Sequence, residues 1–210
     1  IDMFMVPDQY QNFENDLADL VANGGVTQAR IDDAVSRILT QKFNLGLFEQ
    51  PYSDRTNAST IGSAAHRAVA AKAAAESQVL LKNTGNVLPL SKTANLYVAG
   101  SNADDLGNQT GGWTLTWQGA SGNANVGTTI YQGMQADAPN AHFTFSKEAV
   151  APLAGSSVGV VVVGETPYAE GVGDIGNGHT ADLSAADKAA VDRVCQAMKC
   201  VVLIVSGRPM

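Results

Sequence analysis

Residues 158–174, VGVVVVGETPYAEGVGD, decide the fold class. Every position from Val158 to Gly164 is Val or Gly, with none of the polar alternation that a strand with one wet face would carry. A second run of this kind, CVVLIV, occupies residues 200–205. Such strands are expected in parallel sheets whose two faces are both covered by helices. Between the two runs, a helix is expected over 184–198, opened by Ser184 with Asp187 three residues on in the style of a capping box. Working outward, strands are expected at 95–99 and 142–146, a helix at 128–137, and a long Ala-rich helix at 63–82. The alternation reads as an open α/β sandwich with helices on both sides of its sheet.

The first sixty residues differ in character. Residues 1–6, IDMFMV, read as the end of a short buried strand. A helix is expected over 9–22, with Phe13, Leu17, Leu20 and Val21 at helical spacing and Asn23-Gly24-Gly25 closing it. A second begins after Thr27, a good N-cap, and carries Ile31, Val35, Ile38, Leu39 and Phe43 as one stripe. Residues 48–60, FEQPYSDRTNAST, are polar and turn-rich, and are expected to be a linker. The chain opens inside an apolar run and stops just past a strand, so it is expected to be a segment of a longer polypeptide.

Thirteen basic against twenty acidic side chains in 210 residues give a formal charge of −7. That balance argues against a nucleic-acid groove, which needs clustered Lys and Arg. No apolar run reaches the roughly 18 residues of a transmembrane helix, so no membrane span is expected. The literal G-x-G-x-x-G match at 171–176 stands six residues beyond the strand end at Gly164, with its helix starting only near Ser184. A dinucleotide site needs strand, glycines and helix in direct succession, so this context fails.

The carboxylates of the same loop are more informative. Glu165, Glu170 and Asp174 follow the strand, interleaved with Tyr168 and glycines. Ligand sites in open α/β sheets lie beyond the carboxyl ends of strands, and glycosidases work with paired carboxyl groups. A solvated acidic loop is the plainer alternative. Trp113 and Trp117 are the chain's two tryptophans, in the glycine-bounded stretch GGWTLTWQG at 111–119. Exposed indoles suit stacking on a sugar face; burial beneath the loop is the alternative. Cys195 and Cys200 lack the spacing of a zinc half-site, and stand either as two buried apolar side chains or as a local disulfide.

Taken together, these motifs resemble family 3 glycoside hydrolases, the β-glucosidases and exo-acting β-glucan glucohydrolases in which a barrel precedes an α/β sandwich. The resemblance runs end to end and in order through IDMFMVP, RIDDAVSRILTQKFNLGLFEQPYSD, AHRAVAAKAAAESQVLLKNTGNVLPL, AGSNADDLGNQTGGWTLTWQG, VVVGETPYAEGVGD and LIVSGRP. It implies that residues 1–47 are the C-terminal part of a (β/α)8 barrel, 48–60 the linker, and 61–210 a sandwich truncated at its C-terminus. It implies Glu170 as general acid/base, Glu165 as a nearby supporting carboxylate on the substrate-binding side with the two tryptophans, and Asp174 as a residue orienting the loop. Trp117 becomes one wall of an aromatic clamp, with Trp113 supporting it, and Cys195–Cys200 becomes a disulfide. No metal or organic cofactor is implied. The implied partners are a β-glucan or β-glucoside oligosaccharide and the rest of the barrel, and the implied location is extracellular or periplasmic.

One departure limits the resemblance. The family's nucleophile is a barrel aspartate in an S-D-W/T-like motif, which is absent here; Asp2 belongs to a different motif. The expected protein is therefore a retaining β-glucosidase or exo-β-glucanase whose nucleophile lies upstream, with this segment inactive alone. β-Xylosidase of the same family and a non-catalytic carbohydrate-binding domain are the alternatives.

Overall fold

The computed structural model describes residues 1–210. The chain divides into two compact units, Ile1–Val79 and Leu80–Met210. In the first, helices α1 (Tyr10–Ala22) and α2 (Gln28–Asn44) are joined by a tight turn, with the Gly25 and Val26 N–H groups donating to the Leu20 carbonyl at 2.8 and 3.1 Å. Thr27 caps α2, its hydroxyl accepting from the Arg30 N–H at 3.2 Å.

Residues 1–6 correct one expectation: they form no strand, and Ile1 and Met5 are more than nine-tenths exposed. A strand needs a neighbour for its backbone groups, and this unit supplies none. The segment is instead anchored by an ion pair between Asp2 and Arg30 and by Phe4, whose ring lies 5.0 Å from that of Phe13. Helix α3 (Ala64–Glu76) ends earlier than expected. The Ser77 hydroxyl and the Gln78 amide both donate to the Ala74 carbonyl, at 3.0 and 3.1 Å, taking over a terminal acceptor just where the helix stops.

The second unit is a fully parallel four-stranded sheet in the order β2-β1-β3-β4. Its strands are β1 (Asn95–Ala99), β2 (His142–Phe145), β3 (Val158–Gly164) and β4 (Cys200–Val205). Successive side chains enter opposite faces. Tyr97, Ala99, Val161 and Val163 meet Ala190 and Val194 of helix α6 (Ala185–Ala197). Leu96, Val98, Val160 and Val162 meet Ile130, Tyr131 and Met134 of helix α5 (Ile130–Asp137). Val160–Val163 are all buried, which is why the run carries no polar alternation.

Gly159 lets α6 approach closely: a Cβ there would stand 2.1 Å from Val194 Cγ1. Ser184 caps α6, accepting from the Asp187 N–H at 3.1 Å. The Asp187 carboxylate does not complete a capping box; it turns to Ser101 beyond β1, accepting from its N–H at 3.0 Å and its hydroxyl at 2.7 Å. A complete box closes α5 instead, between Thr129 and Gln132. Cys195 and Cys200 are joined as a disulfide across the turn from α6 to β4, with Cα atoms 5.2 Å apart.

Candidate functional site

In a sheet ordered β2-β1-β3-β4, the chain turns one way after β1 and the other way after β3. The crevice beyond their carboxyl ends is therefore the topological switch point, where open α/β sheets bind ligands. Two loops meet there. The first follows β1 at Gly100, where a Cβ would lie 2.0 Å from the Val162 carbonyl oxygen, so only glycine lets the chain cross β3. Asn102, buried beside it, accepts from the Asn108 amide at 2.7 Å. Asp105 caps a short helix, α4 (Leu106–Thr110), and also accepts from the Gly122 N–H at 2.8 Å. This stapled base carries residues 111–119.

The tip of that loop presents both indoles to solvent. Trp113 is 69% exposed and Trp117 52%, with ring centroids 6.3 Å apart, so neither fills the core. The Trp113 N–H donates to the Trp117 carbonyl at 2.8 Å, and Trp113 and Leu115 both hold positive φ, 59° and 60°.

The second loop, after β3, carries the three acids in three different settings. Glu165 is nearly buried, its side chain 9% exposed. Its Oε2 accepts from the Ser206 hydroxyl at 2.6 Å and the Tyr168 hydroxyl at 3.1 Å. Arg208 Nε lies 2.9 Å from Glu165 Oε1, but its N–H is aimed too obliquely for a hydrogen bond, so charge holds the pair. The guanidinium also stacks on the Tyr168 ring at 4.5 Å and donates from Nη2 to the Gly173 carbonyl at 2.6 Å. Glu170 opens a short 3-10 turn (Glu170–Gly173) and is exposed, with φ at 52°, a backbone region that costs a non-glycine residue about 1–2 kcal/mol. Asp174 is exposed, and its carboxylate makes no hydrogen bond.

The two loops are fitted to each other through glycines and one amide. A Cβ on Gly112 would stand 2.1 Å from the Tyr168 carbonyl oxygen, and one on Gly119 would stand 2.8 Å from Pro167 Cβ. The Ala169 N–H donates to Gln118 Oε1 at 2.9 Å, one residue before Glu170. Between them lies a groove of about 250 Å³ whose lining includes Asn108, Gly112, Glu165, Tyr168 and Ser206. The glycines of the 171–176 match do not bridge a strand and a helix; Gly173 is buried against the Tyr168 ring.

Burial alone would raise the Glu165 carboxyl. It is outweighed by the Ser206 hydroxyl, the Arg208 guanidinium and the Tyr168 hydroxyl, which together hold the group below its ordinary value. As pH falls, the unfolded chain therefore binds this proton first. The stabilisation is complete above about pH 4.3 and is lost as pH falls through the lowered folded value. Acid unfolding followed by circular dichroism should thus be less steep below about pH 4 in Glu165→Gln than in the wild type; equal slopes would contradict this ionised, buried role.

Gln118, Ser206 and Arg208 are site residues that sequence reasoning passed over. For Ser206 and Arg208 the signal is topological: β4 pairs with β3 so that Gly164 faces Val205, and the polar residues that follow each strand must then be neighbours. Gln118 belongs to the loop after β1 and carries no such signal.

Residues 78–210 match the family model described as the glycosyl hydrolase family 3 C-terminal domain. The chain belongs to glycoside hydrolase family 3. Among family 3 relatives, it is 41% identical to the lysosomal beta glucosidase of Dictyostelium discoideum over 83% of this chain and 24% of that protein. It is 37% identical to the periplasmic beta-glucosidase of Salmonella typhimurium over 64% of this chain and 17% of that protein. The solved exo-1,3/1,4-beta-glucanase of a Pseudoalteromonas species is similar in structure, with a TM-score of 0.82 at 30% identity, covering 100% of this chain and 27% of that one. The chain thus spans about a quarter or less of these two curated relatives, and its parallel α/β unit has the fold of the family's C-terminal domain.

Proposed function

We propose that this chain is part of a retaining β-glucosidase or exo-β-glucanase that removes glucose from the non-reducing ends of β-glucans or β-glucosides. Glu170 is its general acid/base. In this reading residues 1–47 complete a TIM barrel, 48–60 form the linker and 61–210 are the sandwich, while the nucleophilic aspartate lies on an upstream barrel strand. Trp117 and Trp113 stack on the leaving-side sugar, and Asp174 helps to orient the loop. The disulfide and the lysosomal and periplasmic relatives favour a compartment outside the cytosol.

One observation supports the assignment most. Of the three loop acids, Glu165 is consumed by an internal ion pair, whereas Glu170 is exposed, held at a positive φ, and next in sequence to the residue that joins the two loops. In the first step the aspartate attacks the anomeric carbon, the glycosidic C–O bond breaks, and Glu170 gives its proton to the departing oxygen. In the second, the Glu170 carboxylate takes a proton from water, whose oxygen attacks the anomeric carbon and expels the aspartate. Both steps use carboxyl groups alone.

The test is hydrolysis of laminari-oligosaccharides by the full-length polypeptide, followed by proton NMR. Glucose is expected to appear first as its β anomer. The α anomer would contradict retention, and a preference for β-xylosides would identify a xylosidase. Oligosaccharide binding without hydrolysis would identify a carbohydrate-binding domain.

A further inference from the structure

We infer that Arg208, with Glu165 and Tyr168, is a clamp that positions the Glu170 loop for proton transfer. The inference rests on the acid/base reading above and adds to it the residues that fix the acid in place. The need for a clamp is physical. An exposed glutamate at positive φ, followed by glycines at 171 and 173, has no local reason to keep one conformation. Proton transfer requires the acid within hydrogen-bond reach of one oxygen, so a displacement of about 1 Å is costly.

The structure pins the loop on both sides of Glu170 and leaves Glu170 itself free. On the downstream side, Arg208 Nη2 donates to the Gly173 carbonyl at 2.6 Å. Upstream, the same guanidinium lies on the Tyr168 ring, whose hydroxyl donates to Glu165. Glu165 follows β3 and Arg208 follows β4, so the loop is referred to the carboxyl ends of two paired strands, where Val163 pairs with Ile204 and Gly164 with Val205. The Ser206 hydroxyl closes the arrangement, donating to Glu165 Oε2 at 2.6 Å and accepting from the Arg208 backbone N–H at 3.1 Å. An ion pair needed only for stability would not have to reach a carbonyl of the turn that Glu170 opens. A planar guanidinium with several fixed donors can serve carboxylate, ring and carbonyl at once, which a lysine cannot.

The test uses the full-length polypeptide and two substrates that differ in their demand for an acid: laminaribiose, and a dinitrophenyl β-glucoside whose leaving group departs with little protonation. The quantity read is kcat/KM, which reports the glycosylation step. Arg208→Lys keeps the charge opposite Glu165 but loses the reach to Gly173 and the flat stack on Tyr168. It is expected to lose about tenfold or more on laminaribiose while staying within about threefold of wild type on the dinitrophenyl glucoside. Equal losses on both substrates, or no loss on either, in a variant that melts like the wild type would overturn the clamp. If Arg208→Lys does not fold, the Glu165→Gln/Arg208→Met double variant, which removes both charges together, is read against the same two outcomes. Glu170→Gln is measured alongside. If that variant shows no leaving-group dependence, the acid/base reading fails and the clamp with it; if it does and the Arg208 variants do not, only the clamp fails.

Discussion

Replacing Glu170 by Gln is expected to lower kcat/KM on laminaribiose by about 100- to 10,000-fold, the usual range for a lost general acid. The same change should leave kcat/KM on a dinitrophenyl β-glucoside within about threefold of wild type. The two numbers diverge because the amide keeps the size and hydrogen-bonding reach of the side chain and lacks the transferable proton. A sugar leaving group must be protonated as its bond breaks, whereas a dinitrophenolate leaves as the anion. Glu165→Gln separates this effect from general damage. Glu165 is buried against Arg208, so its loss acts first on stability and only through the loop on proton transfer. Parallel assays on the two substrates, with melting temperatures for each variant, carry the measurement. Equal loss on both substrates in the Glu170 variant would show that this glutamate binds or positions the substrate and does not protonate it.

The second large effect is expected at Gly173. A methyl group there would begin 2.0 Å from Tyr168 Cδ2 and 2.5 Å from Cε2. The ring cannot turn aside, since the Arg208 guanidinium lies 4.5 Å from its centre and the His179 ring packs against it at 5.3 Å. Gly173→Ala therefore forces the 170–173 turn to move, at a cost in stability of about 1–3 kcal/mol for the overpacking. Because the displaced turn begins with Glu170, activity on laminaribiose should fall by about 100-fold. Gly133 makes the opposite control: it lies inside α5, and a Cβ there meets nothing within 4 Å. Gly133→Ala should raise stability by about 0.5–1 kcal/mol and leave activity unchanged. Denaturant unfolding of both variants reads the stability difference. A Gly173→Ala protein as stable and as active as wild type would mean that the turn is not held against Tyr168.

What could be read from the sequence follows from the range of the forces involved. Strand β3 is legible because burial on both faces writes itself into consecutive apolar residues, and the caps at Thr27 and Ser184 because capping is local. Strand β4 carries the same kind of run but not the burial expected of it: Val202 and Ile204 are 40% and 48% exposed. Residues 1–6 misled because an apolar run resembles a strand whether or not a partner strand stands beside it. A helix is expected to reach residue 82 because Leu80 and Leu81 continue the apolar count; it stops at Glu76, where the Ser77 and Gln78 side chains turn to a terminal carbonyl. Helix α4 is five residues long, too short to show a period. The acids and indoles of the site were visible by residue type. Their division of labour was not, because Glu165 is distinguished from Glu170 only by Arg208, which β-sheet pairing brings alongside it from a distant part of the chain.

The central claim, that Glu170 transfers the proton in both steps, is tested most directly by azide rescue of Glu170→Ala in the full-length polypeptide with a dinitrophenyl β-glucoside. Without the carboxylate, water attacks the glycosyl-enzyme slowly, while azide is an anion and needs no base. The account predicts that azide restores turnover and that the product is β-glucosyl azide. Unchanged turnover with no glucosyl azide formed, in a variant that still releases dinitrophenolate in a burst, would contradict it.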